Sequence, residues 1–541
     1  MRDRFPGGES TDFLALFGET IVLRTGWTTP SPRACSSCCN RIHRGAESMI
    51  AGPVESKGLL KASPRVEGLA QFGLIIAVAT AFSFVSEDWI AGLAILALWL
   101  VWKIVPAGQG PPVLGLALTF QWAQVAAAPL YLGLTGRRIP EMDAADYRPM
   151  VIVGLGCVLC LAIGLRVGAN LIKYKPAAVS WSPGVGLPTS TLVVAYLAAT
   201  AGSGALTRLA WDIPQLTQPL LVLSPLRYSV FYLLARRFVF PRFRWRLVAV
   251  LLGFEVLIGF SGYFAGFREA EVLVFMAILE ILEPRRIRHW LALATVFALA
   301  GCTAILWLAI RTEVRAAIDT DETIAESQAA RLRFAETLSS KQFEVFSDGF
   351  GPACDHLISR LWTIDLPARV LERVPSVLPY EHGAIFEAAI KHIVTPRILF
   401  PDKPDLPSDS EEVRKYAGVW VAGPEQNTSI AFGYAAESYV DFGIPGMFVP
   451  VLGFGIVMGL AYRFFLHTIH DHELATGFVV TTFWLSLYLF ERSWVKTLGL
   501  AGTVMIYAGL ATIVVDHYLR SRDHRRRHWG QRIPVTRISH G

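Results

Sequence analysis

The sequence predicts an all-α fold: a polytopic membrane helix bundle of twelve transmembrane helices that carries a helical extracytoplasmic loop domain. Its 541 residues are 53% hydrophobic and only 17% charged, whereas a soluble chain of this length carries more charge. Apolar stretches near the length of about 20 residues that spans a bilayer recur along the chain. Lys and Arg accumulate in alternate loops between these stretches, as on the cytoplasmic side of a membrane.

Twelve stretches have the length and apolar character of a spanning helix. They are residues 69–85, 89–105, 112–134, 150–167, 192–209, 220–234, 247–264, 267–282, 290–310, 445–465, 475–490 and 498–515. Three of them match the pattern least well. The fifth is rich in small residues, the sixth contains Pro225 and Arg227, and the eighth is short with Arg268 at its start.

Positive charge gives the orientation of the bundle. With the N-terminus inside, the even-numbered loops and the C-terminal tail carry the basic clusters, the largest loop cluster being residues 236–246. The odd-numbered loops show no such bias, and a miscount by one helix would invert this order downstream. We therefore expect both termini in the cytoplasm, with residues 1–68 as a disordered segment and residues 516–541 as a basic tail.

Charge and cysteine usage argue against nucleic-acid binding and against a metal site. The net charge of +6 follows from arginines placed to meet anionic lipid headgroups, and no nucleic-acid-binding motif is present. Cys35 and Cys38 form a CxxC without a second ligand pair, so no metal site is predicted. Cys157, Cys160 and Cys302 fall inside helices and are expected to pack as small apolar side chains.

The longest loop, residues 311–444, lies between the ninth and tenth predicted spans and is expected on the outer face. Its 13 Lys and Arg against 21 Asp and Glu agree with an external position and exclude general phosphate binding by the whole loop. Amphipathic patterns predict helices over residues 324–346, 357–374 and 380–394, the last of which must stop before Pro396. The loop is therefore predicted to fold as a small helical domain.

Within this domain, the stretch TPRILFPDKPDLPSDS at residues 395–410 contains four prolines. Proline fixes the backbone and disfavours helix before it, so the segment predicts a stiff, extended strap. Arg397 and Lys403 would then be presented with little entropy left to lose, as a site that clamps a diphosphate requires. The alternative is a surface loop in which these cations pair with Asp402, Asp405 and Asp409.

A second stretch, NTSIAFGYAAESYVDFGIPG at residues 427–446, leads through small residues to the tenth predicted span. Glu437 is expected at or near the outer membrane surface, where partial desolvation raises the pKa of a carboxylate and makes it a better proton acceptor near neutrality. The alternative is an interfacial Glu paired with a neighbouring Arg.

These two stretches together resemble the oligosaccharide repeat-unit polymerases, the O-antigen polymerase type of bacterial integral-membrane glycosyltransferase. The resemblance lies in YEHGAIFEAAIKHIVTPRILFPDKP followed by GYAAESYVDFGIPG. The matching positions are Tyr380, Gly383, Pro396, Arg397, Lys403, Pro404, Glu437, Tyr439, Phe442, Gly443 and Gly446. Asp441 departs from the pattern, in which Asn is expected.

The resemblance implies transfer of a glycan from polyprenyl diphosphate to the end sugar of a second lipid-linked repeat unit, at the outer face of the bacterial cytoplasmic membrane. Its partners would be that lipid-linked oligosaccharide, membrane lipid, a chain-length regulator and a flippase, with no cofactor. Arg397 and Lys403 would bind the leaving diphosphate, helped by Arg268 and Arg227. Glu437 is the first candidate base, followed by His392 and His382, since imidazole titrates near neutral pH.

Three alternatives stay open, one of which is a non-catalytic assembly subunit, for which removing the charge of Arg397 or Glu437 would leave glycan length unchanged. A glycan ligase that uses the same lipid-diphosphate donor needs the same leaving group and the same outer loop. A twelve-helix transporter of polysaccharide or solute is disfavoured, because the chain shows no half-to-half repeat and its charged candidates gather at the outer face rather than at mid-bilayer.

Overall fold

A computed structural model gives the structure of the chain over residues 64–85, 88–106, 110–143, 145–172, 188–213, 217–240, 243–260, 267–283, 286–318, 350–395, 400, 406–426 and 428–531. These residues contain helices and no strand, which confirms the all-α prediction for the part described. The chain divides into two compact units, Met1–Glu67 and Gly68–Gly541, and nearly all described residues belong to the second. The predicted N-terminal segment lies almost wholly outside the described residues.

The helices are numbered here in chain order. They are α1 Pro64–Val85, α2 Trp89–Ile104, α3 Val113–Thr135, α4 Tyr147–Leu171, α5 Thr189–Asp212, α6 Thr217–Leu223, α7 Arg227–Val239, α8 Trp245–Phe260, α9 Phe267–Glu280, α10 Ile287–Ile318, α11 Phe350–Leu361, α12 Asp365–Arg373, α13 Ala384–Val394, α14 Asp409–Tyr416, α15 Tyr434–Gly446, α16 Phe448–Thr468, α17 His472–Leu487, α18 Trp494–Thr503 and α19 Gly509–Gln531. One π-helical turn, Val504–Ala508, joins α18 to α19.

Six of the described helical segments are long and apolar enough to cross a membrane. They are Val113–Thr135, Tyr147–Leu171, Thr189–Thr207, Ile287–Leu308, Phe448–Thr468 and Trp494–Ser521. The other six predicted spans fall on interrupted helices or on shorter apolar helical segments, such as Gln71–Val85 of α1, so a total of twelve spans stays a prediction. Cys157 is buried and Cys160 half-buried in α4, as expected of packing residues, whereas Cys302 is exposed on α10.

Two predicted helix boundaries were wrong, and in both cases a backbone break explains the difference. The predicted sixth span divides at residues 224–226, a 3₁₀ turn that contains Pro225 and separates α6 from α7. The helix predicted over residues 380–394 begins only at Ala384, because His382 and Gly383 both have positive φ and form a turn before it.

The helix predicted over residues 357–374 was also wrong: it is two helices, α11 and α12. The break between them docks against α3. The Trp362 indole N–H donates to the carbonyl of Val125 at 3.0 Å, and the Thr363 N–H donates to the carbonyl of Gln124 at 3.1 Å. These bonds use backbone carbonyls of α3, and they attach the folded part of the long loop to the middle of this helix.

Helices α4 and α16 cross at very close range because glycines face each other on both. A Cβ on Gly168 would lie 2.0 Å from the carbonyl oxygen of Ile456, and a Cβ on Gly459 would lie 2.3 Å from that of Leu165. Each helix carries a second glycine four residues earlier, so both have the small-xxx-small spacing that lets membrane helices approach closely. At this crossing the backbone of one helix faces the backbone of the other, so no flexible side chain could move aside to make room for an added methyl group.

We expect Gly168→Ala to destabilise the protein by roughly 1–3 kcal/mol or more, because the added methyl group must push α4 and α16 apart. The readout is the thermal unfolding temperature of the purified full chain in detergent. Gly453→Ala is the matched control, since Gly453 lies on the exposed face of α16 with nothing within 4 Å of its Cβ position. Equal unfolding temperatures for the two variants would contradict the close crossing.

Candidate functional site

The short helix α15 carries Glu437 and is held by the segment between α17 and α18. Its first N–H, from Tyr434, donates to the carbonyl of Arg492 at 2.8 Å. Gly433 precedes the helix with φ of 92°, and a Cβ there would lie 2.6 Å from the carbonyl oxygen of Phe490. Only glycine combines this positive φ with so close an approach, which explains the small residue at the start of α15.

Glu437 is buried, with 2% of its surface exposed, and one of its oxygens accepts the backbone N–H of Trp494 at 2.6 Å. Burial raises the pKa of Glu437 well above its ordinary value of 4.5, and the charge of Glu412 raises it further, while the Trp494 N–H acts in the opposite direction. Burial therefore favours the protonated, uncharged form of Glu437 over the carboxylate.

Glu412 on α14 is a carboxylate of the long loop that titrates near neutrality. It is half-buried, and burial raises the pKa of its carboxyl to about 7, with the charge of Asp409 adding to the effect. A carboxylate of this pKa is half ionised at neutral pH, which is the condition that favours general acid–base catalysis. The sequence analysis missed Glu412.

Two aspartates complete a cluster of carboxylates around Glu437, and both already have structural partners. Asp441 is buried and accepts the N–H groups of Ile385 at 3.1 Å and Phe386 at 2.8 Å, so it caps the N-terminus of α13. Asp409 pairs with Lys496 at 2.5 Å. Among the described residues, no group of three or more His, Cys, Asp or Glu side chains is arranged to hold a metal ion.

The residues that carry the resemblance pack against one another around α15, although they come from two segments of the chain. The rings of Tyr380 and Tyr439 meet edge to face with centroids 5.9 Å apart. Gly443 has φ of 60°, and a Cβ on it would lie 2.9 Å from the Tyr380 ring. A Cβ on Gly383 would lie 3.0 Å from the ring of Phe442.

Gly446 also fits this packing, since a Cβ on it would lie 2.9 Å from Cβ of Phe442. The Tyr439 hydroxyl donates to the carbonyl of Val374 at 2.8 Å, which ties α15 to the residue that follows α12. The glycines and tyrosines of the motif therefore have a common physical role, which is to let the turn before α13 lie directly on α15.

Of the proline strap, only residues 395, 400 and 406–410 are among the described residues. Pro396, Arg397, Lys403 and Pro404 lie outside the described residues. The helix before the strap, α13, ends at Val394 and packs on α15 and α18. The helix after it, α14, begins with a capping box formed by Ser408 and Glu411.

Arg492 is a second residue that the sequence analysis missed. It is half-buried between α17 and α18, its guanidinium donates to the carbonyl of Leu485 at 3.0 Å, and it lies 5.7 Å from the ring centroid of Tyr488. Burial lowers the pKa of this guanidinium. Among the described residues it forms no ion pair, and a half-buried cation without a carboxylate is a candidate anion ligand.

Buried glutamines of α3 hold the backbone beside Arg492. Gln124 accepts the N–H of Phe490 at 2.7 Å and donates to the carbonyl of Tyr488 at 3.3 Å, while Gln121 accepts the hydroxyl of Tyr434 at 2.7 Å. Polar side chains inside an apolar helix are costly unless they are bonded. Their bonds fix the position of the segment that carries Arg492 and Trp494.

The other predicted cations and bases lie in different parts of the structure. Arg268 is exposed at the start of α9. Both Arg268 and Arg492 are close enough to Tyr488 to interact with it electrostatically. Arg227 instead forms a buried ion pair with Glu255 at 2.6 Å, between α7 and α8. His382 is exposed in the turn before α13, and His392 is half-buried in the last turn of that helix.

Helices of membrane-spanning length and a carboxylate cluster built on short helices define a class: a protein, helical over its described part, with a polar site where its long loop meets the bundle. Residues 189–480 match the family described as Domain of unknown function (DUF8712), which is more than half of the 541 residues. The chain belongs to this family. No curated protein and no solved structure matches it. The matched region includes Glu412 and Glu437 but ends before Arg492.

Proposed function

We propose that this protein is a membrane glycosyltransferase that polymerises oligosaccharide repeat units carried on polyprenyl diphosphate, at the outer face of the bacterial cytoplasmic membrane. The observation that carries the proposal is the packing of the two motif segments around α15. Tyr380 and Gly383 come from one segment and Tyr439 and Gly443 from the other, and aromatic rings of each segment pack directly on residues of the other. If the resemblance of these short sequence motifs were accidental, their residues would not need to contact one another in the fold.

In the proposed reaction, a hydroxyl of the acceptor sugar attacks the anomeric carbon of the donor glycan. The new glycosidic C–O bond forms, the bond from the anomeric carbon to the phosphate oxygen breaks, and polyprenyl diphosphate leaves with the bonding electron pair. Negative charge develops on the departing diphosphate, so fixed cations lower the barrier. Arg397 and Lys403 on the strap are proposed for this role, with Arg492 and Arg268 as further cations.

The acceptor proton needs a base, and Glu412 fits this role better than Glu437. Glu412 follows the cation-bearing strap directly in sequence and has a pKa of about 7. Glu437 is deeply buried, and this burial raises its pKa and so favours the uncharged form. We propose that Glu412 accepts the proton of the attacking hydroxyl, and that protonated Glu437 keeps a second negative charge out of the cluster so that Glu412 can ionise near neutrality.

Loss of a strap cation tests the proposed function. In a strain whose own copy of the gene is deleted, complementation with Arg397→Ala or Lys403→Ala is expected to abolish long surface polysaccharide, since removal of one fixed donor typically slows transfer by about 10²–10³. The readout is the surface polysaccharide ladder on a gel, with the protein level checked by immunoblot. Arg360→Ala is the matched control, because Arg360 is an exposed arginine on α11.

The form of the residual product separates the enzyme classes. A polymerase defect leaves single repeat units on the cell surface, whereas a ligase defect removes attached repeat units altogether. A normal ladder in both strap variants at normal protein level would reject the proposed function. A tag in the loop of residues 311–444 that stays protected from protease in intact cells would reject its outer-face position.

A further inference from the structure

Helix α13 of the long loop runs side by side with α18, the start of a segment of membrane-spanning length. Near the beginning of both helices, the rings of Phe386 and Trp494 have centroids 5.1 Å apart. Further along, Ile393 lies 4.0 Å from the place of a Cβ on Gly499 and 3.9 Å from that on Gly502. Between these contacts each helix advances by about 10 Å, at 1.5 Å per residue, so the two helices run in the same direction.

The spanning segment shows how deep α13 reaches. Trp494–Ser521 is long and apolar enough to cross a membrane, and Lys496 near its start pairs with Asp409 of the long loop at 2.5 Å. This level of the segment therefore has polar surroundings. Residues 498–515 contain no charged side chain and have the length that the hydrocarbon layer requires. The two glycines that contact Ile393 lie just inside this apolar stretch, so Ile393 lies at the same depth.

The face of the spanning segment that α13 covers continues as an exposed apolar surface. Ile506 and Leu510 follow Gly502 at intervals of four residues, which places them on the same face of the helix. Their side chains are 56% and 58% exposed. In a helix that crosses a membrane, such a face contacts lipid. Helix α13 therefore covers only the first turns of a lipid-facing surface, and its own outer side continues that surface.

The outer side of α13 has an apolar flank and a charged flank. Ile390 and Val394 are 42% and 66% exposed and lie one turn apart. Glu387 and Lys391 are also exposed and pair with each other at 2.5 Å. At 3.6 residues per turn, the two pairs are centred about 60° apart around the helix. This division is typical of a helix at a membrane interface, where acyl chains cover one flank and headgroups and water the other.

We propose that the C-terminal half of α13 is embedded in the leaflet next to the long loop. Ile390 and Val394 contact the acyl chains of membrane phospholipid, and the Glu387–Lys391 pair lies at the level of the headgroups. The Thr395 hydroxyl donates to the carbonyl of Lys391 at 2.7 Å, which satisfies one of the open carbonyls at this helix end, as a position near the apolar layer requires. Since the proline strap starts at Thr395, its first residue lies close to the lipid headgroups.

Site-specific photo-crosslinking identifies what covers the apolar flank. The full chain, with benzoylphenylalanine in place of Val394 or Ile390, is reconstituted in vesicles of phosphatidylethanolamine and phosphatidylglycerol, and adducts are read by intact-protein mass spectrometry. Both positions are exposed, so the packing tolerates the larger side chain. We expect adducts of one lipid mass, in a yield similar to that from Ile506 on the spanning segment. Ala384, exposed on the charged flank at the other end of α13, should give several-fold less.

The mass of the adduct distinguishes the possible occupants. A product of twice the chain mass at Val394 would assign the flank to a second copy of the chain, and a crosslink without added mass would assign it to another segment of the same chain. Either result would overturn the proposal, as would a lipid yield at Val394 no higher than at Ala384. The outcome does not depend on the proposed enzyme activity, because lipid adducts are expected even if Arg397→Ala and Lys403→Ala leave the polysaccharide ladder normal.

Discussion

Replacing Glu412 with Gln is expected to slow polymerisation by between about a hundredfold and ten-thousandfold, the usual contribution of a positioned general base. Glutamine keeps the size and the hydrogen-bonding groups of the side chain but cannot take up the proton of the attacking hydroxyl. The measurement is the initial rate of chain growth by the purified full chain in proteoliposomes, with polyprenyl-diphosphate-linked repeat units as substrate.

The pH profile adds a readout that a merely structural role would not move. Because the pKa of Glu412 is about 7, the base is protonated below this pH and ionised above it, so the wild-type rate should rise as the pH passes through about 7. The Gln variant should lose this rise. A residual rate that still rises with the same midpoint would assign the base to another residue.

Stability provides an independent check on the same variant. The folded pKa of Glu412 is raised from its ordinary 4.5 to about 7, so the folded state holds this proton more tightly than the unfolded chain does. Because of this difference in pKa, the free energy of unfolding falls as the pH rises from 4.5 through about 7. Glu412→Gln removes this penalty, so the variant should be at least as stable as the wild type at pH 8.

Glu411→Gln is the matched control for Glu412→Gln. Glu411 is the exposed neighbour on α14 and accepts the N–H of Ser408 in the capping box, a role that Gln also fills. We expect wild-type rate and stability from it. If both variants lose activity equally, the effect comes from the charge of α14 as a whole and not from a base at Glu412.

The two adjacent glutamates show where sequence reasoning reaches its limit at this site. In the string SDSEEVRKY, Glu411 and Glu412 look equivalent, and only the packing of α14 makes one an exposed cap and the other a half-buried acid. Trp494 presents the same difficulty. Its backbone N–H bonds Glu437 from across two intervening helices, and a backbone donor leaves no signature in the sequence.

Other features of the site were within reach of the sequence. Glycine at positions 383 and 443 marks backbone with positive φ, and both positions belong to the motif on which the resemblance rests. Asp441, the departure from that motif, has a local explanation in the structure, since its carboxylate caps α13. The sequence therefore reveals local backbone requirements, such as a glycine at positive φ, but it does not reveal which distant residues contact one another.

The same distinction holds for the fold. Composition and apolar repeats predicted helices throughout, and the described residues contain helices and no strand. Hydropathy averaged over a window does not register a single turn, so the predicted sixth span ran across the 3₁₀ break at residues 224–226. The facing glycines of α4 and α16 have a readable spacing, but which helix each one meets is decided only by packing.

The break at residues 224–226 places Arg227 at the start of α7, where the second large effect is expected. Arg227→Ala should destabilise the protein by about 3–5 kcal/mol, because it leaves Glu255 as a buried carboxylate without its cation. The pair is nearly inaccessible, and the Tyr196 hydroxyl donates to the same Glu255 oxygen. The thermal unfolding temperature in detergent measures the loss.

A double variant separates this structural role from the diphosphate-binding role that the sequence analysis assigned to Arg227. Arg227→Met combined with Glu255→Gln removes both charges and keeps an acceptor for the hydroxyl of Tyr196, so most of the lost stability should return. If the double variant regains its stability and polymerises repeat units at the wild-type rate, Arg227 contributes only to the stability of the fold. If it folds with wild-type stability yet makes no long chains, the buried arginine also acts on the substrate, and the ion pair with Glu255 must open during the reaction.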